Sequence, residues 1–429
     1  MRSVLGVLTG ILVLLALAAC GSDPTPTPAP TATPTRPAQV ATPTPTSPPA
    51  TKTGVWKIGA VGPYSGTTGV WGASLERGMR LYADQVNAAG GVVIGDTKYT
   101  IEVVTCDAQY TTPGGTQCAQ KVIVQDGVKW VVGPIGSAEC RGWETVSEPL
   151  KAISMIPGGC WADGIIGPAN PGQFRYGVSN RELGPGQFST LKTKFPNAKM
   201  VAFIAIDDPT GRDSTKQVIE GLKSIGHHTV VAEEYSPRDT VDFSAYITRM
   251  LLKKPDIIYP VVLGDGGTAL FYKQLAEQGS GNAIKIGSCT DNVLCIKTAG
   301  GPGPFEGNVL LNNLAYCDPA QGTQAELAFC ATYRSKYNED PPNYAITGTN
   351  VMQIFIQMAK GGGSITDLQK AISWYEANPK VRTELSGQAA LGGETRYGIK
   401  RQIYTSSGLG KMKDGKVVAE SRVDFVPEP

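Results

Sequence analysis

The sequence predicts an α/β protein built as two doubly wound lobes, and three observations carry that expectation. Short apolar runs alternate with amphipathic stretches from about residue 57 to residue 359, the pattern of right-handed βαβ units and a mostly parallel sheet covered on both faces. The first run, Lys57 to Val61, breaks at Gly62-Pro63 into a loop rich in Ser, Gly and Thr, and a helical pattern follows from about Gly72. That is where an open α/β sheet presents backbone N–H groups to a ligand. The alternation is also too long for one sheet, and a break near Gln173 to Gly184, where Arg175-Tyr176-Gly177 leads into new βα units, divides it in two.

From the start of the chain, Met1 to Ala19 holds Arg2 and then the apolar run Val4 to Ala19, too short to span a bilayer, and reads as a signal peptide (1–19). Leu17-Ala18-Ala19-Cys20 resembles a bacterial lipobox, which implies a lipidated Cys20 and a mature chain anchored on the outer side of a membrane. Residues 20–53 follow as a linker made almost wholly of Pro, Thr, Ala and Ser. Such a composition cannot bury a core and favours extended polyproline conformations of at most about 3.1 Å per residue.

Candidate strands are 57–61, 100–105, 129–132, 152–156, 200–206, 229–234, 256–262, 284–287 and 307–311. Candidate helices are 72–88, 114–125, 138–149, 182–194, 210–225, 242–252, 266–278, 320–337 and 344–359. In the first helix Leu75, Met79, Tyr82 and Val86 fall on one face until Gly90-Gly91 stops it.

The composition excludes several function classes. A net charge of +2 without a basic cluster argues against nucleic acid. Besides Cys20 there are eight cysteines, at 106, 118, 140, 160, 289, 295, 317 and 330, an even number in a chain with an export signal, so disulfides are expected. Cys289–Cys295 and Cys317–Cys330 are expected to pair locally, and the other four can pair in any of three ways. With His227 and His228 the only histidines, and no CxxC, neither a zinc site nor another metal or cofactor is expected, and His227-His228 reads as surface. No GxSxG elbow, GxxxxGK[ST] loop or HExxH is present, and Asp207-Asp208 are adjacent loop residues that point apart, so the chain is not expected to be an enzyme.

Ligands of open α/β sheets sit beyond the carboxyl ends of the strands. There the first lobe offers Ser65-Gly66 with Trp71, then Gly136-Ser137, then Gly158-Gly159-Cys160-Trp161. The second offers Asp207 to Gly211, Leu263 to Gly266, and Ser288-Cys289-Thr290-Asp291. Two such sets of loops describe a cleft, and closure of the lobes on a solute would exclude water and strengthen its hydrogen bonds.

Gly62-Pro63-Tyr64-Ser65-Gly66, the pair Trp71-Gly72, and Asn87-Ala88-Ala89-Gly90-Gly91 together resemble the opening of the leucine/isoleucine/valine-binding protein family, type I periplasmic receptors of ABC importers, and the likeness runs from about residue 55 to near 425. The resemblance implies a three-stranded hinge between the lobes. On it the first lobe is 54–178 and 305–392, and the second is 179–304 and 393–429 with the tail. It also implies roles for residues. Ser137 holds a ligand carboxylate at a helix head, or is a plain N-cap. Gly158, with Gly159 in the same loop, offers a backbone carbonyl, and Cys160 stands where the family has a threonine, its N–H still able to meet a carboxylate. Trp71 takes the family's aromatic position against the ligand side chain, and Trp161 is a second wall or mere packing. Thr210 replaces a family tyrosine and is otherwise a turn or cap residue. Leu263-Gly264 and Ser288 or Cys289 stand where the family has a tyrosine and an acid, so Asp265 or Asp291 supplies the negative charge, or each is a helix-capping acid. The function implied is a monomeric extracytoplasmic lipoprotein, held to the membrane by its lipid alone, that hands a branched-chain or related amino acid to ABC permease subunits. Alternatives are a sensory receptor domain, a receptor for another small carboxylate or amide, and an anchored hydrolase.

Overall fold

The computed structural model describes residues 52–177, 179–287, 289, 291–311 and 316–423. The signal peptide, Cys20, the linker up to residue 51, Ser288, Thr290 and the last six residues lie outside them.

In chain order the strands are β1 (Lys52–Gly62), β2 (Val92–Ile94), β3 (Thr97–Asp107), β4 (Trp130–Val132), β5 (Ile153–Ile156), β6 (Gln173–Tyr176), β7 (Met200–Ile206) and β8 (Thr229–Ser236). They continue with β9 (Ile257–Val262), β10 (Ile284–Lys285), β11 (Val309–Leu311), β12 (Lys380–Thr383), β13 (Gly387–Gly392), β14 (Gln402–Tyr404), β15 (Ser407–Lys413) and β16 (Lys416–Val423). The helices are α1 (Gly69–Ala88), α2 (Thr112–Ala119), α3 (Ser137–Ser147), α4 (Asn180–Lys194), α5 (Pro209–Ile225), α6 (Ser244–Leu252), α7 (Gly264–Gln278), α8 (Asn292–Ala299), α9 (Gln324–Tyr337), α10 (Asn343–Gly362) and α11 (Leu368–Ala377).

A nine-stranded sheet runs β12-β13-β14-β6-β5-β4-β1-β3-β2, and a four-stranded one runs β10-β9-β7-β8. From β3 across to β14 the first is parallel, and all of the second is. In each, the strand order reverses beside the first strand, between β1 and β4 and between β7 and β9. The loops leaving those strands therefore diverge and open a crevice. A third, antiparallel sheet β11-β15-β16 joins the second through a bridge from Ile286 to Val309.

Sequence chemistry explains the ends of the helices. Asp208 accepts from Gly211 N at 2.9 Å to start α5, and Gly226 stops that helix with φ of 63°. Thr323 and Glu326 form a reciprocal capping box, so α9 begins four residues later than the apolar pattern suggests. The first sheet is held on one side by a packed aromatic column, with Trp56 and Trp130 centroids 5.2 Å apart and Trp130 and Phe355 5.1 Å apart. One apolar cluster continues from Ile58 and Met79 through Trp71 and Leu263 to Phe271. The lobes are thus in contact across the cleft, and the conformation is closed.

The disulfides are Cys106–Cys118, Cys140–Cys160, Cys289–Cys295 and Cys317–Cys330. The two local pairs are as expected, and the first lobe takes one of its three open pairings. Two expectations change. The assigned boundaries put β11 in the returning part of the first lobe and β14 in the final part of the second, whereas β11 belongs with β15 and β14 lies between β6 and β13. Strand partners distant in sequence, β15 for β11 and β6 for β14, set these memberships, not local pattern. His228 is not surface: its ring packs on Phe188 at 5.3 Å, and burial lowers its pKa to about 4.

Candidate functional site

The glycine loop after β1 delivers Trp71 into the first turns of α1. Gly72 must be glycine there: its N–H bonds Pro63 O at 3.0 Å, and a Cβ would lie 2.2 Å from that oxygen. The Trp71 ring is buried between Tyr110 and Tyr344, with centroids at 5.7 and 6.0 Å, and its Nε1–H donates to Asp265 Oδ1 at 3.2 Å. Asp265 belongs to the opposite lobe, in the first turn of α7. Its Oδ2 accepts from Asp291 N at 2.8 Å, and Asp291 in turn caps α8 by accepting from Leu294 N at 2.9 Å. Asp291 is therefore a capping acid, tied to Asp265 through its backbone N–H.

Ser137 is the first residue of α3 and does not act as its cap. Its N–H donates to Thr210 Oγ1 of the second lobe at 3.1 Å, and its Oγ accepts from Ala162 N at 3.1 Å. Thr210 is thus a contact between lobes. The Cys160 N–H, expected to face a carboxylate, donates instead to Ile135 O at 2.8 Å. The Cys140–Cys160 bridge and a φ of 51° fold that loop back on α3, which is the physical reason. Gly158 O accepts from the Tyr344 hydroxyl at 3.3 Å, and a Cβ on Gly159 would lie 2.1 Å from Ile135 O. The Trp161 carbonyl accepts from Gln217 Nε2 of α5 at 2.6 Å, a further link between lobes.

Residues 55–399 match the model of the periplasmic binding protein family. The chain belongs to this family. The Leu/Ile/Val-binding protein homolog 8 of Brucella melitensis biotype 1 is 24% identical over 380 residues, 84% of this chain and 89% of that protein. Among solved structures, the solute binding protein of an ABC transporter from R. palustris in complex with benzoate has a TM-score of 0.73 at 20% identity, covering 87% of this chain and 98% of that one. The branched-chain amino acid transporter substrate binding protein of Streptococcus pneumoniae, in complex with isoleucine, has a TM-score of 0.72 at 21% identity, covering 87% and 100%. The architecture is the type I periplasmic binding protein fold. As a periplasmic binding protein the chain is extracytoplasmic and takes a small-molecule ligand. Among the described residues no helix is long and apolar enough to cross a membrane.

Three residues of this periplasmic binding protein's cleft escaped the sequence reading. Tyr110 follows β3, Arg238 follows β8, and Tyr344 opens α10. Arg238 donates to Tyr110 O at 3.1 Å and to Asp208 Oδ2 at 2.9 Å, with its guanidinium 4.3 Å from the centroid of the Tyr110 ring. A signal was present for Tyr110 and Arg238, since both follow strand ends, those of β3 and β8, on the far side of the first strand of each sheet.

Beneath the cleft floor, the buried Glu139 accepts from Ile135 N at 3.1 Å, Gly136 N at 2.8 Å and Tyr110 N at 2.9 Å, and so fixes the loop that carries Ser137. Desolvation nonetheless outweighs these bonds and raises its pKa from 4.5 to about 7. The folded state therefore holds this proton more tightly than the unfolded one. Its contribution to stability is complete below pH 4.5 and is lost as pH rises through about 7. Wild-type unfolding free energy, taken relative to Glu139→Gln, is expected to fall across that interval in denaturant titrations. A flat difference would refute it.

Proposed function

We propose that this chain is a lipid-anchored, monomeric receptor that closes its two lobes on a small polar solute, an amino acid of the branched-chain type or a relative of it, and delivers it to ABC permease subunits without chemical turnover. The observation that carries the reading is the meeting of Trp71, Ser137, Thr210 and Asp265 across the cleft, with direct bonds from Trp71 to Asp265 and from Ser137 to Thr210. The signal sequence and Cys20 support the anchor, and the linker supplies its reach. On this reading Trp71 meets the solute side chain, the Gly158 to Trp161 loop lines the site, and the buried Asp265 carboxylate receives an ammonium group.

A second reading, a small aromatic carboxylate, is favoured by the clustering of Tyr110 and Tyr344 against the Trp71 ring at the cleft. The benzoate complex of a structural relative is compatible with it.

A thermal-shift screen of amino acids, their amides and benzoates decides between them. A solute at a hundred times its dissociation constant is expected to add about 2.7 kcal/mol of stability. Response to amino acids supports the first reading, and response to benzoates alone supports the second. No response to any member of the three classes would overturn both. In cell fractionation, Cys20→Ala is expected to move the protein from the membrane to the soluble fraction, and retention on the membrane would remove the anchor.

A further inference from the structure

We infer that Arg175, and not the head of α3, is the group that grips the solute's carboxylate. The inference rests on the reading of the chain as a receptor for a small carboxylate-bearing solute, and it locates the anchor within that site.

Arg175 lies in β6, the last strand before the chain first leaves the first lobe, and is 2% exposed. Its Nε donates to Gln402 Oε1 at 2.8 Å and its Nη1 to Cys160 O at 3.4 Å, both neutral oxygens. Its Nη2 is buried with no partner. The rings of Trp161 and Tyr397 lie against the guanidinium, their centroids 5.3 and 5.1 Å from its central carbon. The acid on the same loop, Asp163, is engaged elsewhere, by Arg181 at 3.0 Å and Lys216 at 4.0 Å.

A guanidinium removed from water is costly unless an anion accompanies it, and two aromatic faces offset only part of that cost. Its planar fork matches a carboxylate in geometry and charge. The residues that carry this group also form the cleft wall: Cys160 and Trp161 are bonded to it or stacked on it, and the Trp161 carbonyl binds Gln217 of the opposite lobe. The alternative anchor is already engaged. Ser137 N–H bonds Thr210, Cys160 N–H bonds Ile135 O, and Ser137 Oγ accepts from Ala162. A carboxylate arriving at α3 must break a bond between the lobes, whereas one arriving at Arg175 Nη2 completes an unfinished set.

The solute class follows: small organic acids, amino acids and aromatic acids alike, with their amides rejected. The test is calorimetric titration of the full chain with matched pairs, L-leucine against L-leucinamide and benzoate against benzamide. Wild type is expected to prefer the acid of the pair it binds by about tenfold to a hundredfold, the range of a charge-assisted bond. Arg175→Gln is expected to bring acid and amide level while leaving amide affinity in place. Arg175→Lys, which keeps the charge without the fork, is expected to recover part of the preference, and it decides the matter should the glutamine variant not fold. An acid preference that survives either substitution unchanged, or an equal loss of acid and amide, makes Arg175 a structural residue and overturns the inference while the receptor reading stands. Failure of wild type to bind any member of either pair removes the receptor reading for these solutes and this inference with it.

Discussion

Replacing Asp265 by alanine is expected to weaken solute binding by about ten- to a hundredfold, because the closed form loses a hydrogen bond to a charged acceptor worth about 1.5–3 kcal/mol. The carboxylate holds two donors, Trp71 Nε1–H from the other lobe and the Asp291 N–H behind it. Without it both are left buried and unpartnered. The open form does not suffer equally, since water reaches Trp71 once the lobes part, so the closed population falls and affinity with it. Scattering should then report a larger radius of gyration for the solute-free variant than for solute-free wild type. Trp71→Phe keeps the ring and removes only the donor, so a double-mutant cycle with Asp265→Asn isolates the bond. Additive losses in that cycle, or wild-type affinity in the alanine variant, would show that the contact does not govern closure.

The largest effect on stability is expected from Gly78→Ala. At this residue α1 crosses α10 so closely that a Cβ would stand 1.9 Å from Ala345 O and 2.5 Å from its carbonyl carbon. A Cβ on the facing Gly348 would lie 2.7 Å from Leu75 O, and Thr349 Oγ1 donates to Gly78 O at 3.1 Å. Backbone cannot step aside as a side chain can. The helices must separate, which strains the core of the first lobe and strips that hydrogen bond, for a combined loss of about 3 kcal/mol or more. Gly186→Ala is the control: it sits in α4 with nothing within 4 Å of its added methyl, and is expected to be neutral or stabilising by up to about 1 kcal/mol. Equal denaturation midpoints for the two variants would contradict the packing argument.

Both predictions bear on what the sequence could disclose. The nine strands and nine helices read from periodicity all exist, because each buries an apolar face whose spacing is local information. What periodicity missed is short or polar. Strand β6, Gln173-Phe174-Arg175-Tyr176, is fully buried, yet two of its four side chains are polar and find partners at residues 147 and 402. Strands β12, β13 and β14 are only three to six residues long, and α8 spans eight. In the cleft, strand-end logic placed Trp71, Ser137, Cys160, Thr210 and Asp265 near one another. It could not show that Ser137 and Thr210 bond each other, or that the Cys160 amide turns inward, because those choices are made by loops meeting across the fold.

The late arrival of β14 orders how the molecule can be assembled. The carbonyls of Arg401, just before it, and of its Ile403 receive the Arg175 and Gly177 N–H groups, and without it β6 is an open edge with unpaired amides. A chain emerging amino end first must therefore complete the whole distal half before the proximal half can seal, so the two bodies mature as one cooperative act and not in succession.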